Sequence, residues 1–119
     1  MTRGILLMAW GKRGYGFMAH NLAVSIKHHS PGIPIHLIAT DRVLKEVTDR
    51  SMFDSIESLA DDPSDPGRFK ADIYDLTPFD STLFLDVDGI CLQPVEPLFD
   101  RLDSSGAWYA TFINEVYDI

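Results

Sequence analysis

Gly4-Ile5-Leu6-Leu7-Met8-Ala9, followed after Trp10 by Gly11-Lys12-Arg13-Gly14-Tyr15-Gly16, is an apolar run of strand length that breaks into a glycine-rich turn. A run without polar alternation is what a strand covered on both faces needs. Past the turn the period changes. Met18, Leu22 and Ile26 recur every fourth residue between Phe17 and His29, with Phe17 and Val24 widening the stripe, which predicts an amphipathic helix. Ser30-Pro31-Gly32 stops it, and Pro34 to Ala39 reads as a second strand ending at Thr40-Asp41. Strand, helix and strand in that order form a βαβ unit, and so predict a parallel sheet.

Working outward, Arg42 to Arg50 reads as a short polar helix and Phe53 to Leu59 as a short strand. Asp61-Asp62-Pro63-Ser64-Asp65-Pro66-Gly67 has the composition of a loop. Phe69, Ile73 and Leu76 keep helical spacing until Pro78 ends the helix. Thr82 to Leu85 is a third apolar strand, running into Asp86-Val87-Asp88-Gly89. Glu96 to Leu102 reads as a short helix and Trp108 to Ile113 as a last strand. No internal repeat and no low-complexity tract interrupts this order, so residues 1–119 are expected to form one α/β domain. The closing residues Asn114 to Ile119 carry no helix or cap, and the sheet is expected to be truncated at that end.

Composition narrows the function. Of 119 residues, 45% are apolar and 24% charged, enough apolar side chains for a packed core. Eighteen acids against ten bases give a net charge of −8, which argues against broad nucleic-acid or anionic-membrane binding, since both need a cationic face. The single cysteine, Cys91, excludes an internal disulfide and a cysteine zinc cage. No apolar run approaches the roughly 20 residues of a membrane span, and the first ten residues make no convincing signal peptide. A soluble, cytoplasmic protein is expected.

The sharpest chemical signal is the pair Asp86 and Asp88. Residues at i and i+2 of a strand share a face, so two carboxylates there can converge on one hard cation, and Mg²⁺ or Mn²⁺ prefers such oxygen ligands. Two acids at a strand end are also ordinary solvated turn residues. The preceding run Pro78-Phe79-Asp80-Ser81-Thr82-Leu83-Phe84-Leu85 puts them at the carboxyl end of a buried strand, where open α/β sheets bind ligands.

Asp72-Ile73-Tyr74-Asp75-Leu76-Thr77-Pro78-Phe79-Asp80, with Thr82-Leu83-Phe84-Leu85-Asp86-Val87-Asp88, resembles the segment around the DxD motif of GT-A-fold glycosyltransferases, in the glycogenin-like, family 8-like group. Asp88-Gly89-Ile90 and Pro94-Val95-Glu96-Pro97-Leu98-Phe99-Asp100 extend the likeness. The opening strand, turn and helix match it in outline, while the block from Lys70 to Asp100 carries its specific part. The resemblance implies a Rossmann-like GT-A fold: a mostly parallel sheet flanked by helices, carrying the donor-binding half of a nucleotide-sugar transferase. It implies metal-dependent transfer of a sugar from a nucleotide-diphosphate donor, a UDP-sugar, to a hydroxyl acceptor. Asp86, Val87 and Asp88 would line the donor site, with Mn²⁺ or Mg²⁺ held by Asp86 and Asp88, and Asp86 also facing the ribose. Lys70, just ahead of the motif's helix, would lie near the phosphates and donor sugar, with Arg68 a second candidate. Cations at a helix N-terminus add to its positive end and favour a diphosphate. The loops after the first two strands would supply nucleoside contacts from Ala9, Trp10, Tyr15 and Asp41. Each of these also has an ordinary reading, the bases as solvated side chains and the aromatics as plugs for the sheet's end.

Two features depart from the family. All four histidines (His20, His28, His29, His36) precede the motif, so a downstream histidine ligand is missing, and the acceptor-binding half is missing too. Transfer by this chain alone is therefore not expected. Leu85-Asp86-Val87-Asp88-Gly89 also resembles the nucleophile motif of haloacid-dehalogenase-like phosphatases, but no lysine follows Lys70 and no late acidic pair appears. Gly11, Gly14 and Gly16 reverse the spacing of the dinucleotide fingerprint, and the Walker pattern is absent. His28 and His29 suit the last turn of a helix, His36 alternates with core residues, and Cys91 reads as a small buried residue. A non-catalytic nucleotide-sugar binder or a scaffold is the alternative outside enzymes. A cut sheet edge or uncovered apolar face in such a chain favours association with a second copy.

Overall fold

The computed structural model describes residues 2–105. The expected strand from Trp108 to Ile113 lies outside them. Four strands, β1 (Arg3–Ala9), β2 (Ile35–Thr40), β3 (Ser55–Leu59) and β4 (Ser81–Leu85), form one sheet in the order β3-β2-β1-β4. Every pairing is parallel: Ile5 stands beside Ile35 and Leu83, and Leu7 beside Leu37 and Leu85. The expected α/β, Rossmann-like fold is what forms.

The two faces of β1 belong to two cores, as period-2 alternation requires. Ile5, Leu7 and Ala9 join Ile35, Leu37 and Ala39 under helix α1 (Tyr15–His29) and helix α5 (Glu96–Ser105). Leu6, Met8 and Trp10 join Ile38 on the opposite face. There the cover comes from Phe69 of α3 (Pro66–Ala71) and from Ile73 and Leu76 of α4 (Ile73–Leu76). Burial on both sides explains why β1 and β2 are continuous apolar runs, whereas β3, at the sheet edge, exposes Ser55, Glu57 and Ser58.

Three expectations need correction. The buried stripe of α1 is Gly16, Ala19, Leu22, Ala23 and Ile26, while Phe17, Met18 and Val24 are exposed. Small residues let the helix lie close: a Cβ on Gly16 would stand 2.5 Å from the Val43 carbonyl oxygen. The expected helix from Arg42 to Arg50 is one turn, α2 (Asp41–Leu44), and a separate 3₁₀ turn at Arg50–Met52. The helix running to Pro78 is divided at Asp72, whose amide is shared by the Arg68 and Phe69 carbonyls at 3.2 Å each.

Polar side chains fasten the layers. Ser30 is fully buried; its hydroxyl donates to Glu96 at 2.6 Å and accepts from the Val95 amide at 2.9 Å. The Ser25 hydroxyl accepts from the Cys91 amide at 2.8 Å, so the segment after Asp88 is stitched along α1 at two points. At the other end of the sheet Arg3 reaches Asp103 at 2.7 Å and Asp100 at 2.9 Å on α5. Asp103 also accepts from Ser81 at 2.7 Å.

These contacts set a pH dependence. His36 is buried beside Ser55, 2.6 Å away, and burial lowers its pKa from the ordinary 6.5 despite Glu57 nearby. An imidazole kept neutral in the fold contributes stability above about pH 6.5 that is lost as the pH drops from there towards the folded value. The Ser30 hydroxyl holds Glu96, and the Ser81 hydroxyl with Arg3 holds Asp103, below the usual carboxylate range. Their contribution is present above about pH 4 and lost as pH falls through the folded values. Urea midpoints measured from pH 8 to pH 3 are therefore expected to drop in two stages, with His36→Gln removing the upper one. An upper stage that persists in His36→Gln contradicts this account.

Candidate functional site

In chain order the strands run β1, β2, β3 towards one edge, and the chain then returns to place β4 on the other side of β1. The loops leaving β1 and β4 thus diverge at a topological switch point, where open α/β sheets have a crevice at their carboxyl ends. A cavity of about 240 Å³ lies there, lined by Met8, Trp10, Tyr15, Lys70, Asp86, Val87 and Asp88.

Each wall has a local cause. Trp10 continues β1 past its last paired residue and is only 8% exposed, with Phe69 packed edge-on against it at 5.3 Å between ring centres. Tyr15 opens α1 directly after Gly14, whose φ of +96° is costly for any residue with a Cβ. The Gly14 amide donates to Glu46 at 2.7 Å, which ties the glycine turn to the segment after α2. Lys70 lies on α3, its Nζ 5.8 Å from the Trp10 ring centre and 4.0 Å from Asp86 Oδ1.

Of the residues expected at a donor site, Trp10, Tyr15, Lys70, Asp86, Val87 and Asp88 line this one cavity. Ala9, Asp41 and Arg68 do not. Ala9 points into the core under α1. Asp41 starts α2 and accepts a hydrogen bond from the Ser58 hydroxyl. Arg68 is exposed. Arg68 and Lys70 sit in the last turn of α3, where cations suit the helix C-terminus, and the single turn of α4 starts three residues beyond Lys70. Asp86 and Asp88 are not strand residues. They lie on the turn after β4, closed by the Gly89 amide on the Asp86 carbonyl at 3.4 Å, and that turn, not strand alternation, brings both to the cavity. Met8 was missed because it is one more apolar residue in β1, although it stands two residues before Trp10 and so on the same face.

A second cavity, of about 400 Å³, lies at the carboxyl ends of β2 and β3, lined by Thr40, Arg42, Ala60, Asp61 and Asp62. Arg42 donates to the Gly11 carbonyl at 2.9 Å and stands 3.7 Å from Asp62, joining the glycine turn to the loop after β3.

Among the described residues no group of three or more His, Cys, Asp or Glu side chains is placed to hold a metal ion. The carboxylates of Asp86 and Asp88 are nonetheless hard oxygen donors on one wall, the chemistry a divalent ion such as Mg²⁺ or Mn²⁺ takes, with its remaining positions filled by ligand or water. No helix among the described residues is long and apolar enough to cross a membrane.

No protein-family model matches the sequence, and no curated protein matches it. Among solved structures, the chain is similar to TarS of S. aureus, a glycosyltransferase, with a TM-score of 0.61 at 15% sequence identity. That match covers 89% of this chain and 20% of TarS. The chain thus spans about a fifth of the length of the structure it resembles. The likeness is one of fold, a parallel Rossmann-like sheet flanked by helices.

Proposed function

We propose that the chain is the nucleotide-sugar-binding part of a metal-dependent glycosyltransferase of the DxD type, in the glycogenin-like group. The observation that carries this reading is the convergence, at the switch point of a glycosyltransferase-like sheet, of two carboxylates, one ammonium and two aromatic rings on a single cavity. Asp86 and Asp88 would hold Mn²⁺ or Mg²⁺, which when bound neutralises the diphosphate leaving group of a sugar donor. Lys70 donates to the same phosphate oxygens and adds a fixed positive charge where negative charge develops. Trp10 and Tyr15 offer flat apolar faces for the nucleoside, and the buried Trp10 ring excludes water from that side. The donor is a UDP-sugar and the acceptor carries a hydroxyl.

Calorimetric titration of UDP into the protein, with and without Mn²⁺, tests this. Binding that requires the metal supports the donor site, and hydrolysis or transfer of the sugar would then separate a transferase from a binding module. No binding in either condition would leave a scaffold as the better reading.

A further inference from the structure

Lys70 is the only lysine or arginine among the described residues that line the cavity, and it stands within ion-pair distance of one of the two carboxylates proposed to take a metal. We propose that Lys70 serves as a resident counter-ion of Asp86, discouraging a divalent ion from binding alone and releasing Asp86 when a diphosphate arrives, so that ion and nucleotide enter together. This inference rests on the donor-site reading above and adds a direction of coupling to it.

The argument is one of charge and ligand count. With Lys70 at 4.0 Å from Asp86, the cavity's three charged groups leave one net negative charge. A dication alone would have to share Asp86 with the ammonium, and the two cations repel each other. It would also find at most two protein carboxylates, since no third His, Cys, Asp or Glu joins them among the described residues, whereas such an ion takes about six oxygens. A diphosphate alone would face two carboxylates against one ammonium. Together, a dication and the diphosphate of a nucleotide-sugar, which carries two negative charges, cancel, and the phosphates supply both oxygens for the ion and a new acceptor for Lys70. UDP, with its further ionisable oxygen, brings a small excess of negative charge.

The structure also provides a place for the ammonium during that exchange. The Trp10 ring lies 5.8 Å from Nζ, within cation–π range, and Phe69 on the same helix braces that ring. Lys70 can therefore leave Asp86 without leaving the cavity. Both members of the pair are partly exposed, at 45% and 68% of their side chains, so the ion pair is weak enough to be displaced.

The test compares wild type, Lys70→Met and Lys70→Arg in two titrations, Mn²⁺ alone and UDP at saturating Mn²⁺. Lys70→Met is expected to bind Mn²⁺ alone about three- to tenfold more tightly, because a competing cation is gone. It is expected to bind UDP with Mn²⁺ about tenfold more weakly, because a phosphate partner is gone. Lys70→Arg, which keeps the charge, should stay near wild type for Mn²⁺ alone. Opposite signs in the two titrations are the signature, since a merely structural role would weaken both. Unchanged or weaker binding of Mn²⁺ alone by Lys70→Met, with its circular dichroism intact, overturns the proposal; Lys70→Gln gives the same reading should the Met variant fail to fold. Failure of wild type to bind UDP with Mn²⁺ would instead remove the donor-site reading, while the Mn²⁺-alone comparison still judges the counter-ion role.

Discussion

In Asp88→Ala, Mn²⁺-dependent binding of UDP is expected to fall about a hundredfold, roughly 2.7 kcal/mol, while the folded state keeps its stability. The two halves of that expectation have separate causes. Asp88 lines the cavity beside Asp86, and a divalent ion that loses one of two protein carboxylates loses both a ligand and half of the local counter-charge. For the fold, Asp88 is an exposed turn residue that makes no side-chain hydrogen bond or ion pair among the described residues, so truncation there should change stability by no more than about 0.5 kcal/mol. Asp88→Asn keeps the shape and removes the charge, and should resemble the alanine variant in binding. Calorimetry with UDP and Mn²⁺, run beside a urea melt, reads both quantities. Wild-type affinity in Asp88→Ala would remove the metal assignment, and so would an unfolded variant, because the residue would then be serving the fold.

The largest effect on stability is expected from Phe99→Ala. Phe99 has the greatest volume of any fully buried side chain among the described residues, and it seats α5 against the core that α1 covers. Arg3, whose guanidinium carbon lies 5.8 Å from the Phe99 ring centre, adds a cation–π contact to the same ring. Truncation leaves a ring-sized void between a helix and a sheet that cannot both collapse into it, at about 3–5 kcal/mol. Small domains are stable by only about 5–15 kcal/mol in all, so the denaturant midpoint should fall by a large fraction with little change in slope. A loss below about 1 kcal/mol would mean that α5 does not close the core in this way. Whatever protein remains folded should bind UDP with Mn²⁺ as wild type does, since Phe99 does not line the cavity.

How far the sequence could be read follows from which physical features leave a mark on it. β1 and β2 were legible because strands in the middle of a layered sheet are covered on both faces, as the apolar runs from Gly4 and Pro34 say directly. β4, outermost beside β1 among the described residues, was legible from the shorter apolar run at Thr82 to Leu85, which is half-buried. The face of α1 was not legible, because a helix lying close on a sheet buries Gly16, Ala19 and Ala23, residues with little hydropathic weight, and leaves Phe17 outside. The division of the 66–76 segment into two helices leaves no proline or glycine at Asp72 as a warning. At the site, residue type and place along the chain pointed to Trp10, Tyr15, Lys70 and the Asp86–Asp88 turn. The direction of each side chain is set by packing, and that kept Ala9, Asp41 and Arg68 out of the cavity and Met8 in it.

The order of the strands has a consequence for how occupancy is felt. The cavity draws one wall from residues 8–15 and the others from residues 70 and 86–88, stretches that meet only because β4 docks beside β1 after two other strands have been laid down. No local fragment of the chain contains the site, so a partly folded form in which β4 has left β1 could not keep a ligand. Such a ligand is coupled to every opening that separates β1 from β4, global unfolding included: at a hundred times its Kd it adds about 2.7 kcal/mol to global stability. Slower amide exchange would then extend through β1 and β2, far from the ligand, and the bound molecule would act as a late clasp on the finished sheet.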